Sequence, residues 1–382
     1  MKRTFNDIRR DVILKLLKPL VYIWMTLDAK RKIVKQGDFS FRMRKPYVLL
    51  ANHTYLFDVV HVPLRFPKTP FMIGSSNLFT KKTTRFLVSK IAPVISKAKG
   101  ESDIKTIREI FNVKKRGYPI AIFPEGDTTY FGETGPIEKA TMKLIKKLKI
   151  DVYACTVKGG YLSRPRYAKG KRKNKHLELD YRKIIDADDL KTMDLNDIDT
   201  IVNDALDHND YKYQRETMIP HPGKHLAEGM EDVVYVCPHC KAIDSIKTSG
   251  NTIRCAHCKK EGHVDKYGFI HGFVYDNLVD WNTFQKTYRG KLLASRLKTT
   301  ATMYRNDRES SKRIPMGEVR LTYHDGIFSF HGDVKMKIPV KDIENPTLTL
   351  RRDFGFAYED TDYILKMHHG TMPFLRVCRD KY

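Results

Sequence analysis

The chain has 382 residues, of which 41% are hydrophobic and 30% are charged, and this balance excludes a largely disordered protein. Its length suffices for one substantial hydrophobic core and one or two smaller units. The 70 lysines and arginines outnumber the 45 acidic residues and leave a formal net charge of +25. Such an excess indicates a polyanionic partner, which is either nucleic acid or an anionic membrane surface.

Residues 1–36 are predicted to form an amphipathic helix that anchors the chain to a membrane. Apolar residues recur there at helical spacing, on the side opposite Lys15 and Lys18. The apolar stretch is about half of the roughly 20 residues needed to cross a bilayer, which favours a helix lying in the interface. An amphipathic helix packed on its own domain is the alternative. The apolar positions are Ile13, Leu16, Leu17, Leu20, Trp24 and Leu27.

The cellular setting is predicted from the same segment and from the cysteines. Lys15, Lys18 and Pro19 interrupt the first apolar stretch, and no small-residue cleavage site follows it, so a secretory signal peptide is not expected. Four of the six cysteines fall in two CxxC pairs, a pattern that fits a reducing compartment. We therefore expect a peripheral or monotopic protein on the cytoplasmic face of a membrane.

Residues 37–230 are predicted to form an α/β domain, with a central and mostly buried sheet flanked by helices. Short apolar runs that end near Gly, Asn or a polar turn predict buried strands. Between them, residues 102–117 and 135–149 carry helical periodicity, and Pro136 is predicted to lie in the first turn of the second helix. This alternation of strands and helices is typical of an α/β fold. The predicted strands are PYVLLAN, PFMIGS, YPIAIFPEG and DVYACTV.

A histidine and an aspartate follow the first of these strands, in the stretch YVLLANHTYLFDVV at residues 47–60. On one continuous helix, His53 and Asp58 would point about 140° apart. They can meet only if the strand ends near His53 and the chain then turns into a helix. A carboxylate on one imidazole nitrogen fixes the tautomer and leaves the other nitrogen as a base. Taken alone, the spacing is more often that of a capping or core histidine beside a surface aspartate.

A second predicted strand, which ends at Phe123, runs directly into a Pro-Glu-Gly turn. Gly126 would allow the backbone to approach a ligand closely. The turn could also present amide groups to a phosphate beside the carboxylate of Glu125. A surface loop with an incidental glutamate is an equal alternative.

Together the two motifs resemble those of the glycerolipid acyltransferases. NHTYLFD resembles the N-H-x4-D motif, and FPEGDTT resembles the F-P-E-G-T-R motif, in the same order and roughly 70 residues apart. The resemblance covers about residues 37–190. It implies the fold of that family and the transfer of a fatty acyl group from acyl-CoA or acyl carrier protein to a lysophospholipid hydroxyl. The type acceptor is 1-acylglycerol-3-phosphate, an intermediate of phospholipid biosynthesis.

The resemblance also implies roles for individual residues. His53 would be the general base that activates the acceptor hydroxyl, and Asp58 would orient and stabilise its imidazole. Asn52, Glu125 and Gly126 would contribute to the substrate-binding site. A covalent acyl-enzyme is not implied, because the acceptor hydroxyl is itself the nucleophile.

Two further blocks of the family have counterparts. APVISKAKGESD stands where members carry a phosphate-binding basic residue, so Lys97 and Lys99 are candidates for that contact, with a solvated basic loop as an equal alternative. CTVKGGYLSRP resembles a looser element, a hydrophobic strand that ends in a Gly or Pro turn. The chain departs from the family at 127–129, where Asp-Thr-Thr replaces a segment with Arg and Ser. A bidentate guanidinium contact to the acceptor phosphate is therefore missing there.

Residues 231–270 are predicted to form a zinc ribbon. CPHC and CAHC give the spacing C-x2-C-x14-C-x2-C, and two such pairs complete a tetrahedral zinc site with a natural hairpin between them. Four protein ligands leave no open position, so the zinc would be structural. His239 or His257 could replace a thiolate, and two redox dithiols are a poorer alternative. The predicted ligands are Cys237, Cys240, Cys255 and Cys258.

Residues 271–382 are predicted to contain a linker helix and a β-rich module with a turn at Asp325-Gly326. The ribbon and the basic segment 164–175, with seven Lys/Arg in twelve residues, allow an alternative function. In it, the chain would be a nucleic-acid-binding zinc-ribbon protein on an inactive α/β scaffold. The two strand-end motifs count against that alternative. The expected partners are therefore a lipid surface, an acyl donor and a lysophospholipid, and no nucleic acid is expected.

Overall fold

The structure, a computed structural model, contains two compact units. The described residues are 4–75, 92–97, 103–306, 313–349 and 351–379. The first unit consists of Met1–Thr129, Glu133–Ser163 and Asn174–Tyr213. The second unit consists of Tyr130–Gly132, Arg164–Lys173 and Gln214–Tyr382. This division groups the N-terminal helix with the α/β sheet and groups the cysteine-bearing segment with the C-terminal sheet.

The first unit is built on one seven-stranded sheet. Its strands are β1 (Lys30–Lys35), β2 (Val48–Ala51), β3 (Phe71–Ser75), β4 (Val94–Lys97), β5 (Ile120–Ile122), β6 (Val152–Lys158) and β7 (His176–Ile185). They lie in the order β1-β7-β6-β2-β5-β3-β4, and all neighbouring pairs are parallel except β6 and β7. Because β5, β2 and β6 are parallel neighbours, their carboxyl ends meet at one edge of the sheet.

Helices cover both faces of this sheet. They are α1 (Phe5–Asp28), α2 (Asp58–His61), α3 (Asp103–Lys115), α4 (Lys139–Leu148), α5 (Gly160–Ser163), α6 (Leu195–Leu206) and α7 (Asp210–Thr217), with a 3₁₀ turn at Asp189–Lys191. Val48 and Leu50 of β2 belong to one hydrophobic cluster, and Leu49 and Ala51 belong to the other. A strand that is buried on both faces reads as an unbroken apolar run, as β2 does. The predicted α/β fold with a mostly buried central sheet is confirmed.

The start of α4 differs from the prediction. The helix begins at Lys139, so Pro136 does not lie in its first turn. Glu138 is extended, and its N–H donates to the carbonyl of Pro124 at 3.0 Å. The residues before Lys139 are therefore bound to the turn after β5 instead of being wound into the helix.

The long helix α1 begins at a capping box on Thr4 and turns its apolar side away from the unit. Its opposite side bonds to the unit through polar groups: Asp7 accepts from Arg116 at 2.8 Å, and Asp11 accepts from the Tyr118 hydroxyl at 2.6 Å. Among the described residues, none of the helices has the length and apolar character needed to cross a membrane. The exposed apolar side chains of α1 are Phe5, Ile8, Val12, Leu16, Leu20, Ile23, Trp24 and Leu27.

The second unit contains two antiparallel sheets. The smaller has the order β11-β10-β9-β8, and the larger has the order β15-β14-β13-β12-β18-β17-β16. The smaller is formed by β8 (Ile246–Ser249), β9 (Thr252–Cys255), β10 (Glu261–Val264) and β11 (Ile270–His271). The larger is formed by β12 (Leu297–Asn306), β13 (Arg313–His324), β14 (Ile327–Gly332), β15 (Met336–Pro339), β16 (Glu344–Thr349), β17 (Asp353–Tyr358) and β18 (Thr361–Met367).

The helices of this unit are short. They are α8 (Leu278–Lys286), α9 (Arg289–Leu293) and α10 (Thr371–Cys378), with 3₁₀ turns at Met230–Asp232 and Val340–Asp342. The predicted turn between β13 and β14 is confirmed: Asp325 and Gly326 have φ values of 47° and 73°, as a two-residue hairpin loop requires. On the inner face of the large sheet, the Phe328 ring lies 5.8 Å from that of Phe374 in α10. The predicted C-terminal β-rich module is confirmed.

Candidate active site and metal centre

His53 and Asp58 meet across the turn that joins β2 to α2. His53 lies two residues after β2, and Asp58 is the first residue of α2. The His53 Nδ1 and Asp58 Oδ2 atoms are 3.2 Å apart. The Asp58 side chain is fully buried, whereas 14% of the His53 side chain is exposed. Donation from Nδ1–H to the carboxylate leaves Nε2 as the acceptor of the ring, and no described residue bonds to it.

The carboxylate of Asp58 is fixed by its own loop. Its Oδ2 atom accepts from the Thr54 N–H at 2.6 Å, from the Tyr55 N–H at 2.9 Å and from the Thr54 hydroxyl at 3.0 Å. These bonds close the turn 54–58 and set the plane of the carboxylate. The imidazole of His53 therefore meets an acceptor that cannot rotate freely.

Glu125 binds the backbone next to His53 from the neighbouring strand end. Its Oε1 atom accepts from the His53 N–H at 2.6 Å, and its Oε2 atom accepts from the Gly135 N–H at 2.7 Å. Burial raises the pKa of Glu125 to about 8, against the opposing effect of these two donors. The His53 carbonyl in turn accepts from the Thr129 N–H at 2.8 Å. Both backbone groups of His53 are thus held by the segment that follows β5.

Gly126 gives this segment its sharp turn. Its φ is +74°, and its N–H donates to the Phe123 carbonyl at 3.1 Å. A Cβ atom at Gly126 would meet no atom within 4 Å, so the backbone angle, and not lack of space, favours glycine. The Phe123 ring lies 4.7 Å from the His53 ring, centroid to centroid, and forms an apolar wall beside it.

The other predicted substrate-binding residues lie in different surroundings. The buried amide of Asn52 donates to the Val157 carbonyl at 3.0 Å and accepts from its N–H at 2.6 Å, which ties the end of β2 to β6. The side chain of Lys97 and the whole of Lys99 lie outside the described residues. Substrate contacts of Asn52, Lys97 and Lys99 therefore stay predictions.

Three residues of the site carry roles that the sequence did not indicate. Thr54 and Gly135 supply donors to Asp58 and Glu125, and Gly160 packs against Thr54. A Cβ at Gly160 would lie 2.0 Å from the Thr54 hydroxyl oxygen, so a larger residue at this position would force Thr54 to shift. Gly160 belongs to the CTVKGGYLSRP element, whose double glycine after an apolar strand was the available signal.

A second histidine–aspartate pair lies beyond β6. His208 Nε2 and Asp210 Oδ1 are 2.6 Å apart. The carboxylate of Asp210 also accepts from the Gly159 N–H at 2.8 Å and from the Leu162 N–H at 3.0 Å. Asp210 therefore shapes the turn between β6 and α5. The sequence analysis did not identify this pair.

The four predicted zinc ligands come together in the second unit. The sulfur atoms of Cys237, Cys240, Cys255 and Cys258 all lie within 4.8 Å of one another, and none of these cysteines is in a disulfide. The Cys237–Cys258 and Cys240–Cys255 sulfur distances are 3.9 and 3.7 Å. A tetrahedral zinc ion with Zn–S bonds of about 2.3 Å requires sulfur distances of about 3.8 Å. The cluster therefore fits a metal such as zinc.

The backbone around each cysteine pair supports this fit. Lys241 and Lys259, which directly follow the two CxxC pairs, both adopt left-handed φ values, of 63° and 62°. The N–H groups of Lys241 and Lys259 donate back to the carbonyls of Cys237 and Cys255. The two pairs therefore form two similar tight turns, and the predicted hairpin between them is present as β8 and β9.

Comparisons with known proteins agree with the motifs. Residues 32–158 match the family model described as acyltransferase. A solved structure, the 1-acyl-sn-glycerophosphate (LPA) acyltransferase PlsC from Thermotoga maritima, is similar at 18% sequence identity with a TM-score of 0.41, over 51% of this chain and 78% of that chain. No curated protein matches the chain significantly. The segment that matches the family model contains His53, Asp58 and Glu125.

Proposed function

We propose that this chain transfers a fatty acyl group from acyl-CoA or acyl carrier protein to the free hydroxyl of a lysophospholipid. The contact between His53 Nδ1 and Asp58, at the end of β2, is the observation that carries this proposal. This contact leaves Nε2 of the partly exposed His53 ring able to accept a proton, next to the turn that contains Glu125. The match of residues 32–158 to the acyltransferase family supports it independently.

The reaction needs one base and no covalent enzyme intermediate. The acceptor hydroxyl gives its proton to His53 Nε2 while its oxygen attacks the carbonyl carbon of the thioester. The tetrahedral intermediate expels the thiolate, and the imidazolium returns the proton to the sulfur. Asp58 holds the tautomer and stabilises the transient imidazolium. A base in this role accelerates such a reaction by roughly 10²–10⁴-fold.

The acceptor in this proposal is 1-acylglycerol-3-phosphate or a related phosphomonoester lipid. Asp127 stands where the family commonly has a cationic segment, and its carboxylate accepts from the Thr128 N–H at 2.8 Å. The phosphate contact therefore falls to Lys97 and Lys99. Strand β4, which ends at Lys97, is parallel to β3, so its carboxyl end lies at the same edge of the sheet as His53.

Helix α1 is proposed to seat this domain on an anionic membrane surface. Leu16, Leu20 and Leu27 are 72%, 64% and 81% exposed, whereas the polar side of the helix bonds to the domain. If α1 only covered the core of its own domain, its apolar side would be turned towards that core. An apolar face this exposed, on a chain with a net charge of +25, fits the interface of a bilayer with anionic head groups.

The exposed apolar surface includes the catalytic turn itself. Leu56, between His53 and Asp58, is 55% exposed. Its neighbour Phe57 lies against Trp24 of α1, with the ring centroids 5.5 Å apart. A lipid acceptor could therefore reach His53 directly from the membrane surface to which α1 is proposed to bind.

The four cysteines are proposed to hold one structural zinc ion. A bound zinc ion would cross-link the two cysteine turns, and with four thiolate ligands it would have no position for a substrate. Purified protein should contain about one zinc per chain, and Cys255→Ser should lower both the zinc content and the midpoint of thermal unfolding. Metal analysis that finds no zinc in the purified chain, with intact cysteines, would contradict this assignment.

The reaction is tested by incubating the purified chain with labelled acyl-CoA or acyl carrier protein and a panel of lysophospholipids. We expect transfer to 1-acylglycerol-3-phosphate, and a slower reaction with acceptors that lack the phosphomonoester. Absence of transfer from both donors to every acceptor would contradict the proposal. Tight DNA or RNA binding with a steep salt dependence would then favour the nucleic-acid alternative.

Membrane seating is tested by flotation with vesicles that contain anionic lipid. Leu16→Asn together with Leu20→Asn should abolish most of the binding, because both side chains lie in the exposed stripe of α1. Ile104→Asn is the matched control, since Ile104 is 63% exposed on α3, outside that stripe. Equal binding by the double variant and the control would contradict the role of α1.

A further inference from the structure

The last turn of α1 contacts the turn that carries the catalytic pair. Trp24 lies edge-on against Phe57, as described above. Asp28, the last residue of α1, accepts a hydrogen bond from the Tyr55 hydroxyl at 3.2 Å. The helix thus holds the segment between His53 and Asp58 by one apolar and one polar contact.

Tyr55 joins two carboxylates. Its backbone N–H donates to Asp58 Oδ2 at 2.9 Å, while its hydroxyl donates to Asp28 Oδ2. The side chain is buried, with only 3% exposed, so it has little freedom to move independently. The position of Asp28 therefore bears directly on the orientation of Asp58.

Asp28 is itself held by one ion pair, and a histidine lies beside it. Lys175 forms an ion pair with its other oxygen, and His61, the last residue of α2, places Nε2 3.5 Å from Asp28 Oδ2. Burial lowers the pKa of His61, and Arg31 adds to this effect, so the ring is neutral near pH 7. Asp28 thus faces both the start and the end of the short segment 55–61.

The helical part of that segment has little support of its own. Helix α2 is four residues long, and no side chain caps its first turn. A helix this short is not stable by itself in water, so tertiary contacts must hold it. The last turn of α1 supplies such contacts directly beside Asp58.

We infer that Asp28 and Tyr55 are positioning residues, which keep Asp58 aligned with His53 and so couple the rate of acyl transfer to the seating of α1. The inference rests on the proposed function, because the rate in question is that of acyl transfer. Displacements of about 1 Å at a catalytic group can cost up to about 10²-fold in rate. A partial loss of alignment should therefore cost about tenfold.

The chain offers a matched control for this inference. The Tyr118 hydroxyl donates to Asp11 of α1 at 2.6 Å, which is the same chemistry near the other end of the helix. Tyr118 lies two residues before β5, at the amino end of that strand, whereas His53 follows the carboxyl end of the parallel strand β2. Tyr55→Phe and Tyr118→Phe each remove one hydroxyl from an α1 carboxylate, but only the first touches the catalytic turn.

Two measurements on the full chain test it: steady-state acyl transfer on vesicles and amide hydrogen exchange of residues 54–58. We expect Tyr55→Phe to lower kcat about tenfold with KM within twofold, and to speed exchange of the Thr54 and Tyr55 amides. Asp28→Asn should act in the same direction. Tyr118→Phe should leave kcat and this exchange within twofold of the wild type.

Equal kcat values for the two tyrosine variants, together with unchanged exchange in residues 54–58, would overturn the inference. A wild-type chain without any acyl transfer would contradict the proposed function instead. In that case the exchange measurement alone still decides the positioning role of Tyr55, because it needs no substrate.

Discussion

Two histidine–aspartate pairs lie near the carboxyl edge of the same sheet, and they differ in which ring nitrogen is paired. His53 meets Asp58 through Nδ1 at 3.2 Å, whereas His208 meets Asp210 through Nε2 at 2.6 Å. In both pairs the aspartate side chain is fully buried. Both separations are hydrogen-bond distances and both aspartates are buried, so neither property indicates which pair is catalytic.

The ring nitrogen that bonds to the aspartate determines which nitrogen is left to accept a proton from a substrate. Nδ1 is next to the ring carbon that bears the side chain, and Nε2 is at the far tip of the ring. Pairing through Nδ1 leaves His53 with its tip nitrogen as an acceptor, and pairing through Nε2 leaves His208 with the nitrogen beside its own backbone. Only the first arrangement presents a base outward.

The two aspartates also serve different partners. Asp58 is bound by the turn that carries its own histidine, whereas Asp210 accepts from Gly159 and Leu162 in a different segment. The bonds of Asp58 therefore align the His53 ring, and those of Asp210 shape the chain after β6. We propose that the first pair is catalytic and the second is structural, and the following changes test that difference.

The largest expected effect comes from His53→Ala compared with His208→Ala. The first should lower kcat by roughly 10²–10⁴-fold, with a loss of stability similar to that of the second, because Asp58 is equally buried and also loses a partner. The second should leave kcat within about tenfold but destabilise the fold by about 1–3 kcal/mol, because Asp210 loses a buried partner. Labelled acyl transfer and thermal unfolding measure the two effects. The reverse pattern would assign catalysis to His208.

Asp58→Asn should have the next largest effect. The amide oxygen would keep the place of Oδ2, because the Thr54 and Tyr55 N–H groups donate there, and a neutral amide would no longer stabilise the imidazolium that forms on His53. We expect a loss of kcat of roughly 10²-fold or more, but no greater than that of His53→Ala, since Asp58 acts through the imidazole. Asp210→Asn is the control and should affect stability more than kcat. A kcat for Asp58→Asn within twofold of the wild type would contradict the proposed role.

Glu125→Gln tests the turn that holds the His53 backbone. The pKa of Glu125 is raised from its ordinary value of 4.5 to about 8, so the folded state keeps a proton that the unfolded state loses. The stabilising contribution is complete below pH 4.5 and declines as pH rises towards 8, by up to about 1.4 kcal/mol per pH unit. The free energy of unfolding, wild type minus variant, should therefore fall from pH 5 to 8. A constant difference over this range would contradict the raised pKa.

Gly160→Ala should have the smallest effect of the four. The added methyl group would lie 2.0 Å from the Thr54 hydroxyl oxygen, which bonds to Asp58. We expect a destabilisation of about 1–3 kcal/mol from overpacking, with a moderate loss of kcat. Gly290→Ala is the control, because its methyl group would meet no atom within 4 Å. Equal unfolding midpoints for the two variants would show that Thr54 can move away from the added methyl group at no cost, and would contradict the predicted overpacking.

Much of the site could be predicted because its signals are local. The apolar run of β2 and the polar residues His53 and Asp58 lie within one short stretch, so the run predicted the strand and its end. The role of the pair came from the resemblance of the two motifs to the glycerolipid acyltransferases. The cysteine cluster could also be predicted from local signals, because each CxxC pair forms one tight turn. In these cases, the residues that define the geometry are neighbours in the sequence.

Other parts could not be predicted because they depend on contacts between distant segments. The bonds from Gly135 to Glu125 and from Thr129 to His53 follow no sequence pattern. Strand β1 is the mostly charged stretch KRKIVK within the segment predicted as helix, and it exists because it pairs with β7. The periodicity of α1 indicated an apolar side but could not indicate that this side faces away from the unit.

The central claim is that His53 and Asp58 act as one unit, and a double-mutant cycle on kcat tests it most directly. If Asp58 acts only through the imidazole, His53→Ala combined with Asp58→Asn should be no slower than His53→Ala alone, within about threefold. If the two losses multiply instead, the residues act independently and the proposed pair is wrong.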